Sequence, residues 1–514
     1  MVELNGHQLE IRDIWTVALG KDEVCVSADA VRRMEESRGW VDKISNGDVP
    51  VYGINTGFGI FADKKISRED TSRLTRNLIL SHSVGMGEPL PREVVRAAML
   101  VRANTLVKGF SGVRPVIVQT LIDMLNKGVT PVVPSQGSMG SSGDLGPLSH
   151  LALVLTTDEK DLESDSGFAE YKGQTMSGKA AMATAGIPRV ILGPKEGLAM
   201  NNGATFSAAI GAYTAYEASR LYHAANAALA MSLEALQGLP TAFDERIHDS
   251  RGQIGQIETA AEIRDYIAGS TLIGSVARVQ DAYSLRCAPQ VHGASRDAIA
   301  HTSQILTREV NAATDNPLLF GEGIALSGGN FHGEPVGMVL DYLTIALAEI
   351  GAISERRVFR LTDGNLNAGL PSMLVDGPKS AGLNSGLMMC QYTAASLVLE
   401  SQTLAMSDTV HSLPTSGGQE DHNANSMTAA RHAYQVLQNS WKIVAIELFT
   451  AARGLDLRLR ALPECHSSPV IANILQQIRS LLPYHADDRL WGADVETLLQ
   501  AVLTGRIRLP NLEA

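Results

Sequence analysis

Three consecutive residues, Ser141, Ser142 and Gly143, could build an electrophile from the chain itself. A glycine nitrogen has no side chain beside it and can approach a carbonyl two residues back. If the Gly143 nitrogen attacks the Ser141 carbonyl carbon, a five-membered ring closes. Loss of one water from that adduct, and of a second carrying the Ser142 hydroxyl, leaves an exocyclic methylidene. Two plainer readings compete. A phosphate cradle wants Gly-x-x-x-x-Gly-Lys-[Ser/Thr] or Gly-x-Gly-x-x-Gly between a strand and a helix. Here Gly137, Gly140 and Gly143 are three apart and no lysine follows, so no nucleotide site is expected. A simple corner before an apolar helix predicted over 148–155 fits the composition as well as the ring does.

Other residues able to do chemistry fall in separate clusters. The loop Val51-Tyr52-Gly53-Ile54-Asn55-Thr56-Gly57-Phe58-Gly59 presents one phenol, and Ser81-His82 closes a helix predicted over 67–84. Asn201-Asn202-Gly203 interrupts a long apolar stretch. The segment 280–287 offers Gln280, Asp281, Tyr283 and Arg286; on a helix, Tyr283 lies three residues from both Gln280 and Arg286, so the three share a side. Thr314-Asp315-Asn316-Pro317 and the loop 327–334, with Phe331 and His332, are polar. Gln419-Glu420-Asp421-His422 precedes the last long helix, where carboxylates also suit the first-turn dipole. Each cluster alone is compatible with capping or surface chemistry.

Positioning these groups falls to long helices. Proline-free, alanine-rich periodicity predicts them over 197–236, 333–361, 380–406 and 424–455. Shorter ones are expected from Ser27, a candidate N-cap, to Ser37, and as two helices over 92–126 broken near 109–112. Pro131 and Pro134 extend the backbone into the 137–150 stretch. The expected fold is mainly α: a mixed N-terminal domain, 1–198, carries the Tyr52 loop and the triplet, and 199–514 forms a long-helix bundle. Faces rich in Ala, Gly and Ser suggest subunit packing.

Composition narrows the function. The 514 residues are 45% apolar and carry a net charge of -12, which argues against a nucleic-acid partner. The start, Met-Val-Glu-Leu-Asn-Gly-His, lacks the basic and apolar regions of a secretory signal. No run approaches the ~20 apolar residues of a membrane helix. Cys25, Cys287, Cys390 and Cys465 are scattered without metal spacing, so free thiols, no metal and a cytoplasmic location are expected.

Taken in order, the clusters 52–59, 137–150, 280–287, 314–317, 327–333 and 419–422 resemble the histidine/phenylalanine ammonia-lyase family over nearly the whole chain. The resemblance implies an aspartase/fumarase-like helical architecture and a 4-methylideneimidazole-5-one (MIO) group formed from Ser141-Ser142-Gly143. It also implies a homotetramer whose sites draw on several subunits. Tyr52 or Tyr283 then supplies the base for the β-proton, with Tyr52 on its loop favoured. Asn202 bonds the ring carbonyl and Phe331 packs nearby. Arg286 clamps the substrate carboxylate, as a guanidinium binds two oxygens at once, while Gln280 and Asn316 line the pocket. Ser81-His82 and Gln419-Glu420 fall at the substrate end and select L-histidine, giving trans-urocanate and ammonia.

The chain departs from the family pattern at Ser141 and Gly146, where alanine is usual, and at Gly417-Gly418. The run Asn423-Ala424-Asn425-Ser426-Met427 is also two residues longer than usual. The alternatives left open are a tyrosine or phenylalanine ammonia-lyase, an MIO-dependent 2,3-aminomutase, a fumarase-like lyase without the ring, and a helical scaffold that has lost the chemistry.

Overall fold

The described residues of the computed structural model, 1–47, 49–59, 64–67, 70–377 and 379–512, form eighteen α-helices, four two-stranded sheets and one three-stranded sheet, joined by loops. The mainly α architecture is the one the long periodic stretches imply. The chain groups into two units. The first comprises Met1–Tyr216, Thr302–Asp341 and Ser407–Arg431; the second comprises Glu217–His301, Tyr342–Met406 and His432–Ala514.

In the first unit, Ser27 does cap a helix: its hydroxyl accepts from the Ala30 amide at 3.2 Å, and the helix continues past Ser37 to Ser45. Helices Arg92–Leu106 and Pro115–Lys127 flank the break expected at 109–112. Strands Met86–Pro89 and Pro134–Gln136 pair antiparallel, so the chain enters the 137–150 stretch from extended backbone. Helix Leu145–Leu155 starts directly after the triplet and is buried along most of its length.

The stretch expected as one helix over 197–236 is two, Glu196–Asn201 and Thr205–Ala235. Asn202 is extended (φ -93°, ψ 135°) and Gly203 has φ +112°. Tertiary pairing of Gly203 with Gly143 overrides the local helix propensity there. Beyond the break, small residues let helices close up. A Cβ on Gly211 would lie 2.9 Å from Leu340 Cδ2 and 3.2 Å from Leu306 Cδ1, so a larger side chain would have to displace both leucines where the helices meet.

In the second unit, Arg357 and Glu447 form a fully buried ion pair, with Nε to Oε1 at 2.6 Å and Nη2 to Oε2 at 2.8 Å. Ser232 and Ser354 donate to the same carboxylate, at 2.8 and 2.6 Å, which satisfies a charge that burial would otherwise penalise. Arg357 also donates to the Ser284 carbonyl at 3.3 Å and so holds the single helical turn Tyr283–Arg286 from beneath. The helix expected from 380 begins only at Met388. Asp488 captures the Ser385 and Gly386 amides at 2.6 and 2.9 Å, leaving the preceding segment in a turn. Helix Glu334–Thr362 is long and apolar enough to cross a membrane by composition, yet 67% of that apolar window is buried inside the protein, as in a core helix.

Candidate active site

Gly143 and Gly203 lie back to back. They form an isolated parallel bridge, with Asp144 N donating to Gly203 O at 2.9 Å and Gly203 N to Ser142 O at 3.3 Å. Gly143 has φ +78°, and a Cβ there would fall 2.1 Å from the Gly203 carbonyl carbon. Only glycine fits, because both the backbone angle and the contact exclude a side chain. The same contact brings a second donor to Ser142: Asn202 Nδ2 donates to its carbonyl oxygen at 2.8 Å. Two N–H groups therefore converge on one carbonyl in a buried setting, the arrangement that stabilises negative charge on an oxygen.

This corner is braced from behind. Asp144 is fully buried and accepts from Ser138 Oγ at 2.7 Å, Ser207 N at 2.8 Å and Ser207 Oγ at 2.9 Å. Burial nevertheless raises its pKa above the usual carboxylate range. Arg102 donates to Asn202 O at 2.7 Å and to the Ala199 carbonyl. Desolvation lowers its pKa only to about 10, so it stays charged at neutral pH beneath the Asn202 peptide. Lys195 and Asp315 form a second fully buried ion pair, and Asp315 Oδ1 accepts from the Asn316 amide at 2.7 Å. Asn316 in turn accepts from Gly328 N at 2.8 Å, so the 314–317 and 327–333 loops are locked together.

A cavity of about 1220 Å³ opens on the triplet. It brings together Tyr52, Ser81, His82, Ser141, Ser142, Asn202, Asn316, Phe331, Gln419 and Glu420, ten of the fourteen residues singled out in the sequence. Gly143 is buried directly behind Ser142. Gln280, Tyr283 and Arg286 are not among the lining residues: they belong to the second unit, where Arg286 stacks over the Tyr283 ring at 4.8 Å and Tyr283 is 70% exposed.

Glu420 reaches the triplet. One carboxylate oxygen accepts from the Ser142 hydroxyl and the other from Thr415 Oγ1 at 2.8 Å. Thr415 and Glu420 also pair through their backbones, which stiffens the turn between them. His82 Nδ1 lies 3.0 Å from Ser81 Oγ, and burial lowers its pKa, so the ring is neutral at neutral pH. The Tyr52 hydroxyl accepts from Gly59 N at 3.4 Å. Burial raises its pKa, and the Glu420 and Asp315 carboxylates raise it further, outweighing the Gly59 hydrogen bond.

The cavity also holds groups to which the sequence reading gave no role, His332 and His422 among them although their clusters were singled out. Asn77 lies one turn before Ser81 on helix Thr71–His82, so the i, i+4 spacing was the available signal. His332 and His422 stack nearly parallel, with centroids 6.1 Å apart, and His332 Nε2 lies 3.2 Å from the His422 carbonyl oxygen. Leu74, Leu78 and Leu198 supply an apolar side that no local pattern distinguishes from core packing.

A family model described as aromatic amino acid lyase matches residues 9–480. A histidine ammonia-lyase from Caldanaerobacter subterraneus subsp. tengcongensis is 46% identical over 510 residues, covering 98% of this chain and 97% of that one. Among solved structures, histidine ammonia-lyase from Trypanosoma cruzi is 37% identical with a TM-score of 0.89, covering 98% of this chain and 94% of that one. Tyrosine aminomutase from Streptomyces globisporus is 33% identical with a TM-score of 0.92, covering 100% and 99%.

Proposed function

The chain belongs to the aromatic amino acid lyase family, and on that premise we propose that it removes ammonia from L-histidine to give trans-urocanate. The observation that carries the proposal is the placement of Ser142 in the cavity wall, with two N–H donors on its carbonyl oxygen and Glu420 on its hydroxyl. The residues fit the MIO group: Gly143 tolerates no side chain, and the oxygen of the ring carbonyl would be that of Ser142. That group, held by the Ser141–Gly143 turn and the two donors on the Ser142 oxygen, would supply an electrophile for the substrate amino nitrogen, covalent catalysis with the polarity reversed from the usual nucleophile.

The remaining work belongs to side chains. Asn202 and the Gly203 amide stabilise charge on the Ser142 oxygen. Neutral His82 and the Glu420 carboxylate receive an imidazole, with Ser81 and Gln419 beside them. Thr415 holds one Glu420 oxygen, and the oxygen freed when ring formation expels the Ser142 hydroxyl would be left unpaired against an apolar phenyl ring, which costs roughly 1–3 kcal/mol or more for a charged group. Asn316 and Phe331 shape the wall near Ser142. Tyr52 takes the β-proton; its raised pKa requires a cation brought to the cavity before it can act as a base at neutral pH.

Arg286, Gln280 and Tyr283 are the groups that would complete the site, supplied by another copy within a homotetramer. The exposure of Val279 (98%) and Tyr283 (70%) supports that role. Four free cysteines accord with a cytoplasmic location.

Incubation with L-histidine tests the proposal. Growth of the ultraviolet absorbance of urocanate, with an intact mass short by two waters, is the expected result. Cinnamate or a β-amino acid from an aromatic substrate, without urocanate, would replace it with an aromatic lyase or aminomutase. An unmodified mass would leave a scaffold.

A further inference from the structure

Two hydrogen bonds join the triplet to the loop that presents Glu420. Ser142 Oγ donates to Glu420, and the Ala424 amide donates to Ser141 Oγ at 3.0 Å. Their fates differ. Ring formation expels the Ser142 hydroxyl as water, so the first bond is consumed by maturation. The Ser141 side chain takes no part in the ring, and its bond survives.

The surviving bond lands on a buried, hydrogen-bonded part of the loop. Ser141 is 4% exposed, and Asn423 and Ala424 are fully buried. Asn423 N donates to Ser412 Oγ at 2.7 Å and its side chain to the Leu413 carbonyl. Asn425 Nδ2 donates to the carbonyls of Asp408 and His411 at 2.9 and 3.0 Å. The Asn423–Asn425 segment thus ties both ends of the loop to itself, and Ser141 ties that segment to the triplet. The hydroxyl is satisfied on its donor side as well, by Met139 O at 3.3 Å. An alanine there would leave the Ala424 amide, buried, without this partner.

We propose that Ser141 is a positioning residue: its hydroxyl holds the Glu420 loop in register against the matured electrophile and thereby sets affinity for the substrate imidazole. The inference rests on the proposed histidine elimination. It also joins two features that the sequence presents separately, the serine at 141 and the long run after His422.

The test is Ser141→Ala, read by intact mass and by steady-state kinetics with L-histidine. The variant should lose both waters as completely as the parent. Its KM should rise about fivefold, the effect of one ordinary hydrogen bond, with kcat changed less than twofold. Ser141→Thr, which keeps the acceptor, should return KM to within twofold of the parent. Unchanged KM in the alanine variant would overturn the proposal. So would incomplete water loss, a fall confined to kcat, or a threonine variant as impaired as the alanine one. A parent enzyme with unmodified mass or no product from histidine would instead overturn the lyase proposal on which this one rests.

Discussion

Gly143→Ala offers the most quantitative test of how the ring-forming turn is held. The new Cβ would lie 2.1, 2.2 and 2.3 Å from the carbonyl carbon, nitrogen and Cα of Gly203, all backbone atoms. Gly203 is itself hemmed in by Thr314, whose oxygens stand 2.6 Å from where a Gly203 Cβ would be. The bridge must therefore open, losing the bonds from Asp144 N and Gly203 N, at about 1 kcal/mol each. Holding φ near +78° adds roughly 1–2 kcal/mol for a residue with a side chain. The sum, about 3–4 kcal/mol, reduces the population of the bent conformer by about a hundred- to a thousandfold. Cyclisation runs through that conformer and should slow in proportion. The assay is a time course of intact mass on freshly synthesised or refolded chain, with circular dichroism to confirm folding. A folded alanine variant that sheds two waters at the parent's rate would refute the reasoning.

Ser142→Ala should fold, keep its two waters' mass apart from the changed side chain, and produce no urocanate; wild-type turnover in that variant would dismiss the ring. Asn202→Ala should mature normally by mass but lose about 10²–10³ in kcat, the usual effect of removing one oxyanion donor, and a loss under tenfold would shift the burden to Gly203 N. Burial lowers the His82 pKa, so the folded chain takes up that proton later than the unfolded chain. Stability referable to His82 is therefore full above 6.5 and declines as pH falls through that value. Between about pH 8 and 5 the denaturant midpoint of the parent should fall further than that of His82→Gln, and parallel curves would contradict the argument.

Local chemistry was legible in the sequence where it is local in the structure. Ser27 caps the helix it precedes, and two prolines draw the chain straight into the 137–150 stretch. The site itself was legible only by resemblance, because its walls come from segments hundreds of residues apart. No periodicity foretold that Asn202 would leave its helix to reach the Ser142 carbonyl, since that break is imposed by Gly143 from 60 residues away. Asp488, which captures the Gly386 amide 102 residues upstream and so delays a helix start, is the same kind of override. Tyr283 and Arg286 show the converse: they share the turn Tyr283–Arg286, but Gln280, expected on the same helical side, precedes that helix in irregular backbone, and none of the three is among the residues lining the cavity.

The bracing of the triplet also sets when the proposed electrophile would appear. Gly143 is pressed by Gly203, Gly203 by Thr314, and Gly140 is held by the Gly333 amide and by Ser426, whose hydroxyl stands where a Cβ would be. Each of these supports is made later than the triplet during synthesis. A chain released before Ser426 should therefore carry the residues of the ring without the ring, and water loss in such a truncated chain would contradict this. On the proposed function, the reactive group would in effect be a timestamp of completed folding, withheld from nascent copies in which an exposed electrophile would react with cellular thiols and amines.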